Sequence, residues 1–456
     1  MPPIAVLHLT SAEGGGADRY IRDLAATTAV RSWIWHAGAG VVEDVGATRY
    51  YRAPAGPMLT RWLAEAGIGL VHLHGVTREC GDALARIRDA RAPPYIVTLH
   101  DIGFVAPHAF DGRLDGDPAD HARVSQLFAD AAAIVAPSAY IARLAGEHFG
   151  ERAVQVIAPG IERQPVPVAT VEVDDDFTAH AARMRIGVAG AIGPHKGSAD
   201  IAAIAHAIAA HDATLVVIGY SDTRVERGWV TEGELYMHGA YEDHALPALL
   251  DAYGVDIVLF ANRLPESFSY TLSEAWAAGR PVIVPDDGAL GERVAQSGGG
   301  WRLGAGFDAQ AVAQLLAHLA TPDGTREWAR VKSALEQDDP VRVPALSTMT
   351  REFDALYART AQPAAAMGDA AGALTPLLAA DLNGSVFRRE LVRITRGLTD
   401  ARAWSTKLER DIAELKVAVE KLGADNRRLA DVRDAFDRLP AVVRKYLLKR
   451  AFRDRR

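Results

Sequence analysis

Two carboxylates, Glu266 and Glu274, stand eight positions apart within residues 262–292, which read NRLPESFSYTLSEAWAAGRPVIVPDDGALGE. The pattern predicts a loop to Glu266, a helix from about Phe268 to Ala278 and then a buried strand. The free N–H groups and the dipole of a helix N-terminus both favour an anion such as phosphate. Glu274, about two turns into the helix, is placed to accept a pair of hydrogen bonds from a vicinal diol. The segment therefore predicts a pocket for phosphate and sugar hydroxyls, as a nucleotide-sugar presents them.

The same segment resembles the signature of the retaining glycosyltransferases of family 4, in which two glutamates enclose seven residues. The Glu-Ala pair, an alanine-rich turn, GRPVIVPD and GALGE all recur in register. The resemblance implies the two-domain GT-B fold, with Glu266 on the donor sugar and Glu274 on the ribose. The predicted donor site also includes the residues between them: Ser267, Phe268, Ser269, Tyr270 and Thr271. From this window alone, a surface helix with two solvated glutamates remains the alternative.

Glycines follow the first predicted strand and open a helix near Ala17. Because Gly14, Gly15 and Gly16 carry no side chains, the backbone here can approach a ligand closely. A plain strand-to-helix connection explains the same glycines equally well. In the resembling family this loop faces the donor phosphate and the acceptor, which implies that Gly15 and Gly16 lie at the cleft.

The strand YIVTLHD delivers His100 and Asp101 at its carboxyl end, where open parallel sheets place functional side chains. A histidine there can hydrogen-bond a sugar hydroxyl or a developing leaving group, and its alternative role is to cap the loop. The resemblance favours the functional role, because the family carries a His-Asp or His-Glu pair at this point. His74, which ends the strand VHLHG, is a second candidate.

The segment RIGVAGAIGPHKGSADI predicts another strand, glycine-rich loop and helix, with Lys196 just before the helix. Its ammonium can neutralise a diphosphate as a point charge. The resembling family usually has an arginine five residues earlier, where this chain has Ala191. Arg263 and His195 are the candidates to supply that charge, and a donor that is held less tightly is the alternative. Lys196, His100 and Glu266 form the predicted catalytic set.

Short apolar runs alternate with amphipathic segments, which is typical of parallel sheets covered by helices. The predicted strands are Ile4–Leu9, Trp33–Ala37, Leu70–His74, Tyr95–His100, Ala133–Ala136, Val154–Ile157, Arg185–Ala189, Thr214–Ile218, Leu235–His238, Asp256–Ala261 and Pro281–Pro285. The predicted fold class is α/β, with two doubly wound Rossmann-like domains (GT-B) and a C-terminal helical, coiled-coil extension. Ligands in such sheets bind at the carboxyl ends of the strands, which here face a cleft between the domains.

The predicted domain ranges follow from a proline-rich, acidic break after residue 163 and an alanine-rich, low-complexity stretch after residue 361. They are 1–165 for an N-terminal, acceptor-side domain, 166–360 for a C-terminal, nucleotide-sugar donor domain, 361–380 for a linker, 381–438 for a helical coiled-coil extension and 439–456 for a basic amphipathic tail.

The composition is that of a large soluble enzyme, with 456 residues, 49% hydrophobic content and a net charge of −8. The negative charge gives no reason to expect nucleic acid as a partner. The single cysteine, Cys80, excludes a disulfide framework and suits a reducing cytoplasm. No stretch reaches the length of an apolar membrane span, so we predict a cytoplasmic protein, attached peripherally at the inner face of the membrane.

No metal site is predicted. An Asp-X-Asp pair at a strand end is missing, and the acidic run Asp174–Asp176 falls in the polar break between the domains. Lys196, helix dipoles and backbone amides can stabilise the charge of a leaving group without a divalent ion, and the resemblance implies the same. No cofactor is expected, since a donor nucleotide-sugar is a substrate.

Beyond residue 380 the chain is rich in charge and helix-forming residues. Apolar residues recur at alternating steps of four and three, which predicts a homodimeric coiled coil over residues 405–437, with Asn426 at an a-type position. A helix folded back on the enzyme domains is the alternative. The last stretch, LPAVVRKYLLKRAFRDRR, predicts a basic amphipathic helix over 440–456 that contacts a membrane surface, or else a solvated basic terminus.

Together these patterns predict a glycosyltransferase that moves a sugar from a nucleotide-sugar to a glycan or lipid-linked acceptor with retention. We expect it to act in surface polysaccharide, O-antigen or lipopolysaccharide biosynthesis. One alternative is another GT-B activity, such as a nucleotide-sugar epimerase. A second is a noncatalytic scaffold subunit of a polysaccharide assembly complex.

Overall fold

The computed structural model describes residues 4–12, 14–106, 118–150, 152–162, 173–222, 226–241 and 245–363. The chain divides into two compact units, Met1–Phe387 and Arg388–Arg456, and the second lies outside the described residues. The predicted linker, coiled coil and basic tail therefore lie outside them as well, apart from the first residues of the linker. Within the described part of the chain, no helix is both long and apolar enough to cross a membrane.

The first sheet has eight strands in the order β4-β3-β2-β1-β5-β6-β7-β8. They are β1 (Ala5–Thr10), β2 (Arg31–His36), β3 (Val41–Asp44), β4 (Arg49–Arg52), β5 (Ile68–His74), β6 (Tyr95–Thr98), β7 (Ala133–Ala136) and β8 (Val154–Val156). Its helices are α1 (Gly15–Thr27), α2 (Pro57–Glu65), α3 (Arg78–Arg91), α4 (Pro118–Asp130) and α5 (Ala139–Phe149). The pairings of β2 with β3 and of β3 with β4 are antiparallel, and the other pairings of this sheet are parallel.

The second sheet has seven strands in the order β11-β12-β10-β9-β13-β14-β15. They are β9 (Met184–Ile192), β10 (Ala213–Ser221), β11 (Gly228–Thr231), β12 (Leu235–Met237), β13 (Ile257–Leu259), β14 (Val282–Pro285) and β15 (Gly300–Leu303). Its helices are α6 (Asp175–Ala179), α7 (Ile201–Ala209), α8 (Leu246–Ala252), α9 (Tyr270–Ala277), α10 (Gly288–Ser297), α11 (Ala309–Leu319) and α12 (Pro322–Leu335).

The predicted fold class is confirmed, because both sheets are mainly parallel and covered by helices. Each predicted strand overlaps an observed one, whereas β3, β4, β11 and β15 were missed. Each of these four has four residues of mixed polarity and lies at or next to a sheet edge. Central strands, buried on both faces, read as continuous apolar runs, but edge strands do not.

The two sheets share one feature that sets the position of a binding site. In the first sheet β1 lies between β2 and β5, and in the second β9 lies between β10 and β13. The strand order reverses at these points, and the loops that follow the two strands diverge there. Parallel sheets bind ligands outside the carboxyl ends of strands at such switch points.

The last described helix, α13 (Leu346–Thr360), belongs structurally to the first domain. Its apolar residues Met349, Phe353 and Leu356 pack in one buried cluster with Val6 and Ile21 of the first sheet and α1. The predicted range 166–360 placed this helix in the donor domain. Its amphipathic pattern predicts a helix with a buried face, but the pattern does not say which core that face covers.

Candidate functional site

A cleft of about 640 Å³ opens between the carboxyl edges of the two sheets. The residues predicted for catalysis and for donor binding all line it: Gly15, Gly16, His100, Lys196, Glu266, Ser267, Phe268, Ser269, Tyr270, Thr271 and Glu274. Their roles remain predictions, but the fold brings them to one place. The cavity is of the size that small-molecule sites have in proteins.

The glycine-rich loop forms the wall of the cleft on the side of the first domain. Gly14 and Gly15 have φ values of 79° and 71°, a left-handed conformation that residues with a Cβ rarely adopt. Gly16 lies against the second domain, since a Cβ there would meet the Tyr270 ring at 3.6 Å. Gly14 and Gly15 therefore need glycine for their backbone conformation, whereas a Cβ at position 16 would make only an ordinary van der Waals contact.

Glu274 forms an ion pair across the cleft. Arg19 of α1 donates from Nη1 to Glu274 Oε1 at 2.7 Å, and both side chains are largely buried. The Arg19 guanidinium also stacks on the Tyr270 ring, 4.5 Å from its centroid. Burial acts to lower the pKa of Arg19, but the Glu274 carboxylate outweighs it and the pKa is raised. One of the two oxygens predicted to receive a diol is thus already bound to Arg19.

Glu266 is held more loosely, and within the second domain. Asn262 donates from Nδ2 to Glu266 Oε1 at 2.9 Å, and Lys196 Nζ lies 3.6 Å from the same oxygen. Lys196 sits in a short turn of 3₁₀-helix, Pro194–Lys196, that follows β9. Its side chain is 31% exposed, so its ammonium can move to a ligand in the cleft.

Neither of the two side chains considered as substitutes at Ala191 is placed to bring a fixed positive charge to the cleft. Arg263 pairs with Asp200 at 2.5 Å and donates to the Gly306 carbonyl at 2.9 Å, and it does not line the cleft. The expectation that Arg263 serves the cleft is therefore wrong. His195 does line the cleft, but burial and the neighbouring Lys196 lower its pKa, which disfavours the charged imidazolium.

The sequence matches two family models. One described as Glycosyltransferase Family 4 matches residues 14–164, and one described as Glycosyl transferases group 1 matches residues 183–321. Together they cover more than half of the 456 residues. The chain belongs to the family 4, group 1 glycosyltransferases. No curated protein sequence matches it.

Solved structures support the same fold for this glycosyltransferase. Anabaena HepE, in complex with UDP and glucose, is 17% identical with a TM-score of 0.55, over 78% of this chain and 100% of HepE. Sucrose-phosphate synthase from Thermosynechococcus elongatus is 17% identical with a TM-score of 0.57, over 78% of this chain and 98% of its own. A Rickettsia africae glycosyltransferase is 14% identical with a TM-score of 0.54, over 79% and 99%.

A row of three histidines backs the glycosyltransferase cleft, of which His8 and His74 are buried and His100 is half-buried. His100 Nε2 is 2.9 Å from His74 Nδ1, and His74 Nε2 is 2.9 Å from His8 Nδ1. Burial lowers the pKa of His100 to about 4 and that of His8 to about 3, and it lowers the pKa of His74 well below 6.5. His74 does not line the cleft, so it supports His100 instead of contacting a ligand. All three are neutral imidazoles at pH 7.

His8, His72 and His74 bring ring nitrogens within 4.8 Å of one another, as in a metal site. Most of their nitrogens are already engaged, although His8 Nε2 has no hydrogen-bond partner among the described residues. His72 bonds Tyr357 and Thr98, each at 2.7 Å, and His74 bonds His8 and His100. A metal ion here would have to displace these bonds, so the donor set fits a hydrogen-bonded core better than a metal centre.

Sequence reasoning missed Arg19, Asn262 and His8. Arg19 lies one turn into the helix that begins at the glycine loop, and this position next to the predicted cleft could have identified it. Asn262 stands at the end of the β13 segment, four residues before Glu266. His8 gave no signal, because a histidine within an apolar strand pattern is ordinary.

The Ser267 hydroxyl, which was predicted, donates to the His100 carbonyl at 2.5 Å and joins the two domains beside the cleft.

Proposed function

We propose that this glycosyltransferase moves a sugar from a nucleoside-diphosphate sugar to a glycan or lipid-linked acceptor, with retention of configuration. The observation that carries the proposal is the arrangement at one end of the cleft. Lys196, the amino end of α9 and the carboxylates Glu266 and Glu274 line the same cavity. The cation and the amides at the helix end can bind a diphosphate, and the two carboxylates can accept hydrogen bonds from sugar hydroxyls.

The nature of the donor draws support from the structural relatives. HepE has been solved with UDP and with UDP-glucose. We therefore take UDP-sugars as the first donors to test. Glu274, next to Arg19, is the proposed ribose ligand, and Glu266, next to Lys196, is the proposed ligand of the donor sugar.

In the proposed reaction the bond between the anomeric carbon and a diphosphate oxygen breaks, and the diphosphate keeps the electron pair. The acceptor oxygen forms the new bond to the anomeric carbon, and its proton passes to the departing diphosphate. Lys196 and the amides at the start of α9 stabilise the charge that develops on the leaving group. Neutral His100 exchanges a hydrogen bond with a sugar hydroxyl and carries no charge of its own.

The pathway and location are proposed from the sequence beyond the described residues. A dimer through 405–437 would present two basic helices at 440–456 to an anionic membrane, and paired weak contacts bind far better than one. Changing Ile412 and Leu415 to Asp is expected to give monomers that bind anionic liposomes less. A cytoplasmic enzyme at the inner face of the membrane fits an acceptor in surface polysaccharide or lipopolysaccharide assembly.

The test is a screen of UDP-, GDP- and ADP-sugars for hydrolysis and for transfer to lipid-linked and free glycan acceptors. Glu266→Gln serves as the inactive control. Proton NMR of the product gives the anomeric configuration. Consumption of a donor with retention supports the proposal. Release of an isomerised free sugar points to an epimerase, and consumption of no donor by a folded protein points to a scaffold.

A further inference from the structure

Arg293 is a buried cation directly behind the proposed diphosphate site. It lies in α10 and is 6% exposed. Its guanidinium stacks against the Phe268 ring, with its carbon 3.9 Å from the ring centroid. Within the described residues no carboxylate lies within 4.0 Å of it. A buried charge without an acid partner is costly, so it needs other groups to stabilise it.

Those groups are mainly carbonyls of the donor loop. Arg293 Nη1 donates to the carbonyls of Phe268 at 2.9 Å and Ser269 at 3.0 Å. Its Nη2 donates to Ser273 Oγ at 2.7 Å and to the Arg342 carbonyl at 2.9 Å. Two successive peptide groups thus turn their oxygens inward to the same cation.

The direction of these carbonyls fixes the direction of two amides. In a trans peptide the N–H points opposite to the C=O, and the described chain contains no cis peptide bond. The N–H groups of Ser269 and Tyr270 therefore point away from Arg293. Both residues line the cleft, and Arg293 does not. Oriented amides of this kind, with a positive charge behind them, form an anion site.

The backbone of Ser269 supports the same interpretation. Its φ is 76°, in the left-handed region that a residue with a Cβ rarely occupies. Its hydroxyl accepts from the Leu272 amide at 3.3 Å and caps α9. Such strain persists only where surrounding contacts hold it, and the Arg293 bonds on both sides of the residue provide them.

We infer that Arg293 is a positioning residue for the donor diphosphate, because it holds the Ser269 and Tyr270 amides toward the cleft and adds a fixed positive charge behind them. The inference rests on the proposed function, whose donor carries a diphosphate. It also accounts for a positive charge at the site when Ala191 offers none. Burial lowers the pKa of Arg293 to about 9, which leaves it charged at neutral pH.

The experiment uses inorganic pyrophosphate, so that it depends neither on the base nor on sugar transfer. Arg293→Gln in the full-length protein is expected to weaken pyrophosphate binding about tenfold or more, the effect of losing a charged hydrogen-bonding group. Arg293→Lys, which keeps a cation, is expected to retain more of the affinity. Arg342→Gln is the matched control, because Arg342 is equally buried and donates to the carbonyls of Ala334, Gln337 and Ser297, away from the cleft.

A second measurement needs no variant and covers the case in which Arg293→Gln does not fold. In the wild-type protein, pyrophosphate is expected to shift the amide proton resonances of Ser269 and Tyr270 downfield. Equal affinity of Arg293→Gln and the wild type, or binding that leaves both amides unshifted, overturns the inference. So does a wild type that transfers sugar yet binds no pyrophosphate. If pyrophosphate binding depends on Arg293 but the protein transfers no sugar, the proposed function is contradicted and the inference about Arg293 is not.

Discussion

The two glutamates of the cleft are each paired with a cation, but the two pairs differ in almost every physical respect. Glu274–Arg19 joins the two domains at 2.7 Å, with side chains 9% and 11% exposed. Glu266–Lys196 lies within one domain at 3.6 Å, with side chains 21% and 31% exposed. Ion pairs close to solvent contribute little, whereas breaking a buried pair leaves an uncompensated charge.

The difference indicates two roles for the same kind of pair. Arg19 is held by Glu274 and by the Tyr270 ring, so its guanidinium fixes the distance between the domains and the orientation of Glu274. Lys196 has a distant partner and a flexible stem, so it can leave Glu266 for a phosphate at little cost. We propose that the buried pair positions the residues of the site, whereas Lys196 of the exposed pair moves to bind the ligand.

The largest effect is expected from Arg19→Ala. This change leaves Glu274 buried without its partner, and we expect it to lower the free energy of unfolding by about 3 kcal/mol. Urea denaturation measures the loss. The double variant Arg19→Ala, Glu274→Ala is expected to recover part of it, because the orphaned charge is gone. If the loss of the double variant equals the sum of the losses of Arg19→Ala and Glu274→Ala, the two side chains are not energetically coupled.

Lys196→Ala is expected to weaken ligand binding strongly and to change stability little, which is the opposite of Arg19→Ala. Nucleoside diphosphate binding should weaken by about 1.5 to 3 kcal/mol, since a charged hydrogen bond to the ligand is lost. The free energy of unfolding should change by less than about 1 kcal/mol. Calorimetry and urea denaturation of the same sample separate the two quantities.

EDTA should leave activity unchanged. If EDTA abolishes activity and magnesium or manganese restores it, a metal ion stabilises the diphosphate together with Lys196.

The two glutamates themselves are expected to separate binding from turnover. Glu274→Gln should weaken UDP binding about tenfold, because the proposed ribose ligand loses its charge. Glu266→Gln should alter UDP binding by less than about threefold and lower kcat instead, because its proposed contact is with the sugar. Binding of UDP and of the UDP-sugar, measured in parallel, tests this. Equal losses for both ligands in both variants would remove the distinction.

The smallest effect is expected from the titration of His100, which lines the same cleft as both pairs. Its pKa is lowered from 6.5 to about 4 by burial, so it stays neutral as the pH falls until the pH approaches about 4. The contribution of His100 to kcat/KM should therefore be constant within about twofold between pH 5.5 and 8. A pH profile with an inflection near 6.5 that disappears in His100→Gln would show that the imidazole becomes charged in the working range.

The sequence by itself determined the central strands and most of the residues that line the cleft. Apolar runs such as Ile4–Leu9 and Ala133–Ala136 predicted the central strands, because a strand buried on both faces needs a continuous apolar sequence. The residues that end those strands or open the next helix, such as Gly15, His100 and Lys196, were found because parallel sheets collect such positions at one edge. Their placement depends on local pattern and topology, both of which the sequence records.

Only the tertiary structure decided the partners. Arg19 and Glu274 are 255 positions apart, and a hydrogen bond between them depends on how two domains meet. The same holds for His8 and His74, for α13 on the first core, and for Arg293 behind the loop at Ser269. Periodicity says that a side chain is buried, but it does not say against what. Contacts between distant segments are set by packing that no local pattern encodes, and in this protein they determine which charges are fixed and which are free to meet a ligand.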